Sequence, residues 1–248
     1  MVPFDLSYGA MVYMAIAVLA SGYVRGYSGF GFAALVISSA SLITNPLHFV
    51  PVVVLADFFL TGQQISSIRA KVEWARVAPL AGGALFGVPL GVFAMAHLGI
   101  DAGRAIISIF VLVMCGFLLR GFKFKARVGP LIHSLVGIFS GLANGAAVGG
   151  LPVAVFFASQ TISASVFRAS MIVYFTLLGI WTLPSMVFAG VIKVETFWAT
   201  LLLLPFMMLG VWLGGRQFIY AEPANFRRFA IYLLGFLSVL GLLKPVLQ

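Results

Sequence analysis

Apolar residues in this chain do not alternate with polar ones. They come in long blocks separated by short polar or glycine-rich gaps. Blocks of about 20 apolar residues predict helices that cross a bilayer. The first block covers residues 8–24 and stops at Arg25, inside the glycine-dense stretch from Gly22 to Gly31. A shorter apolar run, Phe30 to Ile43, follows. Asn45-Pro46 ends it, because proline disfavours helical geometry in the residue before it. A third block, residues 47–66, contains His48 and Asp57. The polar run from Ser66 to Arg76 reads as a loop, residues 77–97 as a fourth helix and 103–119 as a fifth.

After a basic linker the order recurs. Residues 130–143 lead into a second break, Gly141 to Pro152, which carries Asn144 where the first break carries Arg25. A short run from Val153 to Thr161 follows, then a long block over 165–190 with Arg168 near its start. Blocks at 197–214 and 227–244 complete the second half. Ser21-Gly22 aligns with Ser140-Gly141, Lys71-Val72-Glu73 with Lys193-Val194-Glu195, Gly87-x-x-Leu90-Gly91 with Gly210-x-x-Leu213-Gly214, and Arg104 with Arg227. The expected fold is an all-α polytopic membrane protein of two inverted repeats. Each repeat has about five helical segments, one of them a broken or re-entrant helix. Residues 1–119 form the first transmembrane repeat, 120–129 a basic cytoplasmic linker and 130–248 the second repeat. The pattern leaves open whether the short helices are re-entrant or cross fully. A β-barrel needs segments of about ten alternating residues, and runs such as Phe197 to Leu213 do not alternate.

Composition agrees with the pattern. Of 248 residues 62% are hydrophobic and 8% charged, against roughly 25% charged in soluble domains. Mean hydropathy is +1.13 and the pI about 10.1. The net charge of +9 does not indicate nucleic acid, because the basic residues lie between apolar blocks, where cytoplasmic orientation signals belong. Placing Arg120, Lys123, Lys125 and Arg127 inside puts the loops with Arg69, Lys71, Arg76 and with Arg216, Arg227, Arg228 inside as well. The nearly neutral loops at 98–103 and 191–195 then fall outside, and the two Lys-Val-Glu sites lie on opposite sides of the membrane, as an inverted repeat requires. No basic residue precedes the first block, which is therefore expected to stay as a membrane helix rather than be cleaved as a signal peptide. Cys115, the single cysteine, lies inside an apolar block.

Charged groups at membrane depth are costly and normally face a cavity or a partner. Arg25 offers a planar fork that matches carboxylate, sulfonate or phosphate oxygens; the alternative is a structural pairing with Asp57 or a carbonyl. Arg168 is a second candidate for the same anion, or an interfacial arginine marking a helix end. Asp57 is the intramembrane carboxylate placed to carry a coupled proton, or to hold Arg25 in a static salt bridge. Gly29 and Gly31 in one break, and Asn144, Gly149 and Gly150 in the other, would let backbone amides and short-helix N-termini meet a ligand. The alternative for these glycines is helix packing. Gly83, Gly87 and Gly91 put small residues on one helix face, as close packing in lipid requires. Gln63-Gln64 either lines a polar cavity or marks a helix end. His48, His97 and His133 have no metal-ligand spacing. No catalytic triad, phosphate loop or zinc-protease motif occurs, so neither catalysis nor a cofactor or metal is expected.

The duplicated glycine break resembles that of the sulfite exporter TauE/SafE family of bacterial permeases, over nearly the whole chain. The second copy keeps Gly145, Gly149, Gly150 and Pro152; the first has Gly26, Gly29 and Gly31 and no proline. The resemblance implies transport of a small organosulfur or carboxylate anion across the bacterial inner membrane. The expected function is a secondary transporter of a small anion (sulfite, organosulfonate or small carboxylate), proton-coupled and working by alternating access, with a passive anion channel as the alternative. Its partners are the anionic substrate, the lipid bilayer and protons as coupling ion; no nucleic acid is expected, and a homo-oligomer is an open alternative.

Overall fold

The computed structural model describes residues 4, 6–121, 128–218, 232 and 239. All regular structure among them is helical: α1 Tyr8–Ser28, α2 Phe32–Ser41, α3 Phe49–Ile68, α4 Trp74–Ala96, α5 Ile100–Arg120, α6 Pro130–Asn144, α7 Gly150–Ala158, α8 Ala164–Phe188 and α9 Val194–Gln217. Short 3-10 turns at Pro46–His48 and Arg69–Lys71 flank α3. Six of these helices are long and apolar enough to cross a membrane: α1, α3 with its flanking turns, α4, α5, α8 and α9. Most of the basic linker (residues 122–127) and most of the block at 227–244, with Arg227 and Arg228, lie outside the described residues.

The helix boundaries follow local chemistry. The Ser7 side chain accepts the Ala10 amide at the start of α1, and Ser163 accepts the Val166 amide at the start of α8, satisfying donors that an N-terminus leaves open. Two expectations need correction. Helix α1 does not stop at Arg25; it runs on to Ser28, because Gly22 and Gly26 stay helical and the left-handed Gly29 (φ 82°) closes the helix. The expected loop from Ser66 to Arg76 shrinks to Val72-Glu73 between a 3-10 turn and α4. Polar side chains there end the apolar run but do not prevent backbone hydrogen bonding, so the helix outlasts the hydrophobic signal.

Packing rests on glycine. On α4, a Cβ at Gly83, Gly87 or Gly91 would run into the backbone of Ser134, Ile138 and Leu142 of α6. In return, Gly137, Gly141 and Gly145 lie against Leu80, Gly87 and Gly91. Helices α1 and α9 do the same: Gly22 and Gly26 lie on Met207 and Val211, and Gly210 and Gly214 on Leu19 and Tyr23. Residue numbers rise together along both contacts, so each pair runs parallel. Helices α3 and α8 run antiparallel: Phe58 touches Gly179, and Thr176 donates to Thr61. Removing the side chain lets backbones approach and gather dispersion contacts, the main attraction left between helices in lipid.

Candidate functional site

On α3, Asp57, Thr61 and Gln64 follow one another at helical spacing and are all buried, so they share one inward face. Arg25, in the last turn of α1, meets that face. Its Nη1 donates to Asp57 Oδ1 and its Nη2 to Thr61 Oγ1 at 2.9 Å. The Thr176 hydroxyl donates to the same Thr61 oxygen at 2.8 Å. The guanidinium carbon lies 5.9 Å from the Phe32 ring centre and 5.7 Å from that of Phe175, within cation–π range. Arg25 is 1% exposed. In this conformation its charge is met by Asp57, as the pairing alternative anticipates. The pair is incompletely bonded: Arg25 Nε and Asp57 Oδ2 have no hydrogen-bond partner among the described residues.

The second break is pinned differently. Asn144 Nδ2 donates to Thr182 Oγ1 at 2.7 Å. The Tyr174 hydroxyl donates to Ser140 Oγ at 2.7 Å, which donates to the Gly149 carbonyl. Gly149 has an ordinary helical φ of −59°. The left-handed residue in this break is Ala147, at φ 56°, so the expectation that glycine supplies the turn holds for Gly29 and Gly31 only. Gly150 is needed for close approach instead, because a Cβ there would overlap the Phe175 ring. Phe175 thus touches both breaks, Arg25 of one and Gly150 of the other. The first residues of α2 and α7 carry no side-chain cap.

Arg168 on α8 reaches the first break from the other half. Its Nε donates to the Gly26 carbonyl at 2.8 Å, its backbone presses on Gly29, and its guanidinium lies 5.0 Å from the Phe218 ring centre. Arg168 lines a cavity of about 540 Å³, together with Gln63, Gln64, Lys71, Ser165 and Arg216. Although 8% exposed, it has no carboxylate within ion-pair distance among the described residues. Both amide atoms of Gln64 (5% exposed) and the Oε1 of Gln63 are likewise without partners there. A second cavity, of about 250 Å³, lies at the other end of α3 and is lined by Asn45, His48, Val50, Met186, Lys193 and Thr196, among others.

The fold therefore brings Arg25, Asp57 and the first break together with Arg168. It holds Asn144, Gly149 and Gly150 in a separate polar cluster joined to the first through Phe175. Thr61, Thr176, Thr182, Ser140 and Tyr174 are residues of these clusters that the sequence pattern does not single out, and Gln64 enters that pattern only as a residue that lines a cavity or marks a helix end. The spacing Asp57–Thr61–Gln64 was the available signal. Among the described residues no cluster of three or more His, Cys, Asp or Glu could hold a metal ion.

No curated protein and no solved structure matches the chain. The family model described as "Sulfite exporter TauE/SafE" matches residues 13–241. With helices of this length and apolarity behind that match, the chain is a multi-pass membrane protein that belongs to the sulfite exporter TauE/SafE family of membrane transporters.

Proposed function

We propose that the protein is a secondary transporter of a small anion, a sulfite, organosulfonate or small carboxylate, in the bacterial inner membrane. The observation that carries this reading is Arg168: among the described residues, a buried cation without a carboxylate partner, beside the unpaired Gln64 amide, in a 540 Å³ cavity. An anion entering there would supply the missing acceptor, and charge-assisted hydrogen bonds to arginine are among the strongest available.

The mechanism uses an inverted repeat. A shift of 119 positions carries Gly22, Leu19 and Tyr23 of α1 onto Gly141, Ile138 and Leu142 of α6; a shift of 123 carries Gly87 and Gly91 of α4 onto Gly210 and Gly214 of α9. The α1–α9 contacts thereby become the α4–α6 contacts. A shift of 118 turns the Phe58–Gly179 contact of α3 and α8 into the Thr61–Thr176 one. Equivalent helices that cross antiparallel favour an axis in the membrane plane. The two halves then rock about the central layer of Arg25, Asp57, Thr61 and Phe175 to expose one cavity at a time.

Asp57 couples the proton. While ionised it occupies Arg25. Protonation removes the opposing charge and frees the Arg25 guanidinium for the substrate anion, so proton and anion bind together. Gly29, Gly31, Gly149 and Gly150 shape the breaks, and Asn144 holds the second break in register. Positive-inside orientation sets the Arg168 cavity, rimmed by Lys71 and Arg216, toward the cytoplasm.

A thermal-shift panel of sulfite, ethanesulfonate and acetate on purified protein tests the anion site. At least one anion should stabilise the wild type and lose that effect in Arg168→Ala. Equal response of the variant, or no response of either, removes the anion site.

A further inference from the structure

The two cavities are counterparts of one another. The same shifts carry Ser165 to Leu47, Arg168 to Val50, Ile68 to Met186, Gly215 to Val92 and Phe218 to Met95. The first member of every pair lines the larger cavity and the second lines the smaller. What differs is chemistry. The cation at Arg168 becomes an aliphatic side chain at Val50, and the hydroxyl at Ser165 becomes Leu47. Two of the remaining polar groups weaken too: Arg216 maps to Phe93, and Gln64 maps to Thr182, whose hydroxyl is engaged by Asn144 and by the Leu178 carbonyl. Lys71 keeps its counterpart, since the aligned Lys-Val-Glu stretches pair it with Lys193. The smaller cavity keeps His48 and Lys193 at its lining, but neither takes the place of Arg168 against the break. That place is marked by the backbone: Arg168 donates to Gly26, and the counterparts of these two residues, Val50 and Gly145, line the smaller cavity together with no donor between them.

We infer that the transporter is built with unequal anion affinity at its two faces: a small oxyanion binds at Arg168, Gln64 and Ser165 in the larger cavity, and the twin cavity at Leu47 and Val50 has lost that site. The inference rests on the anion-transport reading above and adds the sidedness and the residues that set it. The twin cavity is smaller, about 250 Å³ against about 540 Å³, but still roomy for an anion of sulfite size, so the loss of affinity is assigned to the side chains. In a carrier at equilibrium without coupling, the ratio of maximal rate to half-saturation must be the same in both directions. Unequal affinity therefore makes the tight face saturate at low concentration and turn over slowly, while the direction of net flux is set by the gradients and the coupled proton.

Protection from alkylation reads the two sites separately. In a Cys115→Ala background, Ser165→Cys and Leu47→Cys are reacted with neutral N-ethylmaleimide in the intact purified protein, with sulfate (in place of sulfite, which itself adds to maleimide), ethanesulfonate or acetate added. An anion should slow labelling at position 165 at a concentration roughly tenfold or more below that needed at position 47, the factor that loss of one charge-assisted contact produces. Adding Val50→Arg should bring protection at position 47 toward that at 165, and this gain does not depend on any loss-of-function variant folding. Equal protection at both positions in the parent, or no gain with Val50→Arg, overturns the asymmetry while leaving an anion transporter. Absence of protection at both positions by every anion overturns the transport reading with it.

Discussion

A buried ion pair is stabilised by its partner more than by its surroundings, and Arg25 with Asp57 is such a pair. Removing one member leaves the other charged and dry, at a cost of about 3–5 kcal/mol, whereas replacing both by apolar residues of similar size is often neutral or better. Asp57→Asn should therefore lower thermal stability in detergent markedly, and Arg25→Met with Asp57→Leu should recover most of the loss. The double variant should at the same time show no proton-dependent anion transport in proteoliposomes. If it remains proton-coupled, Asp57 is a structural partner only and the coupling assignment moves elsewhere. The pairing was half legible in the sequence. Both residues stand out as charges inside apolar blocks, but they are 32 positions apart, and only the folded α1–α3 contact selects pairing over an open anion site for Arg25. Gln64 was less visible, since a glutamine near the end of an apolar block reads equally as a helix end.

Helices impose a different logic, in which the absence of a side chain carries the information. Gly82 and Gly83 are neighbours in α4, yet a Cβ at Gly82 meets nothing within 4 Å while one at Gly83 would penetrate the α6 backbone. Gly83→Ala should destabilise by about 1–3 kcal/mol, as overpacking does. Gly82→Ala should be neutral or stabilising by up to about 1 kcal/mol, the helical advantage of alanine. Thermal unfolding of the two variants side by side measures the contrast, and equal melting temperatures would show that α4 and α6 do not interlock through this face. The four-residue spacing of Gly83, Gly87 and Gly91 made that face readable in advance. The same spacing in Gly22 and Gly26 was read as part of a break, because glycine density alone does not separate a packing groove from a turn. Backbone torsion does: Gly29 and Gly31 are left-handed, while Gly22 and Gly26 lie within α1 and rest on α9. In the second break the left-handed position fell to Ala147, which no composition rule would select.

At the scale of the whole molecule, everything functional depends on the halves being inverted. Two parallel repeats would put both cavities on one side of the membrane and leave nothing to alternate. The aligned Lys71-Val72-Glu73 and Lys193-Val194-Glu195 stretches provide a direct test, since equivalent positions lie on opposite sides in an inverted repeat and on the same side in a parallel one. Ala70 and Val194 are both exposed, and the native Cys115 is buried at 4% exposure, so background labelling is low. Ala70→Cys should react with a membrane-impermeant maleimide in inside-out vesicles and stay protected in right-side-out ones, because the basic residues around it mark the cytoplasmic side. Val194→Cys should give the reverse. Labelling of both positions from one side would remove the inverted repeat and, with it, alternating access between the two cavities, even though every helix–helix contact described above would still stand. The helix contacts and the transport cycle are therefore separable claims. Glycine packing joins α1 to α9 and α4 to α6 whatever the sidedness, whereas an anion can be bound at Arg168 and released beyond the Arg25–Asp57 layer only if the two cavities face opposite compartments.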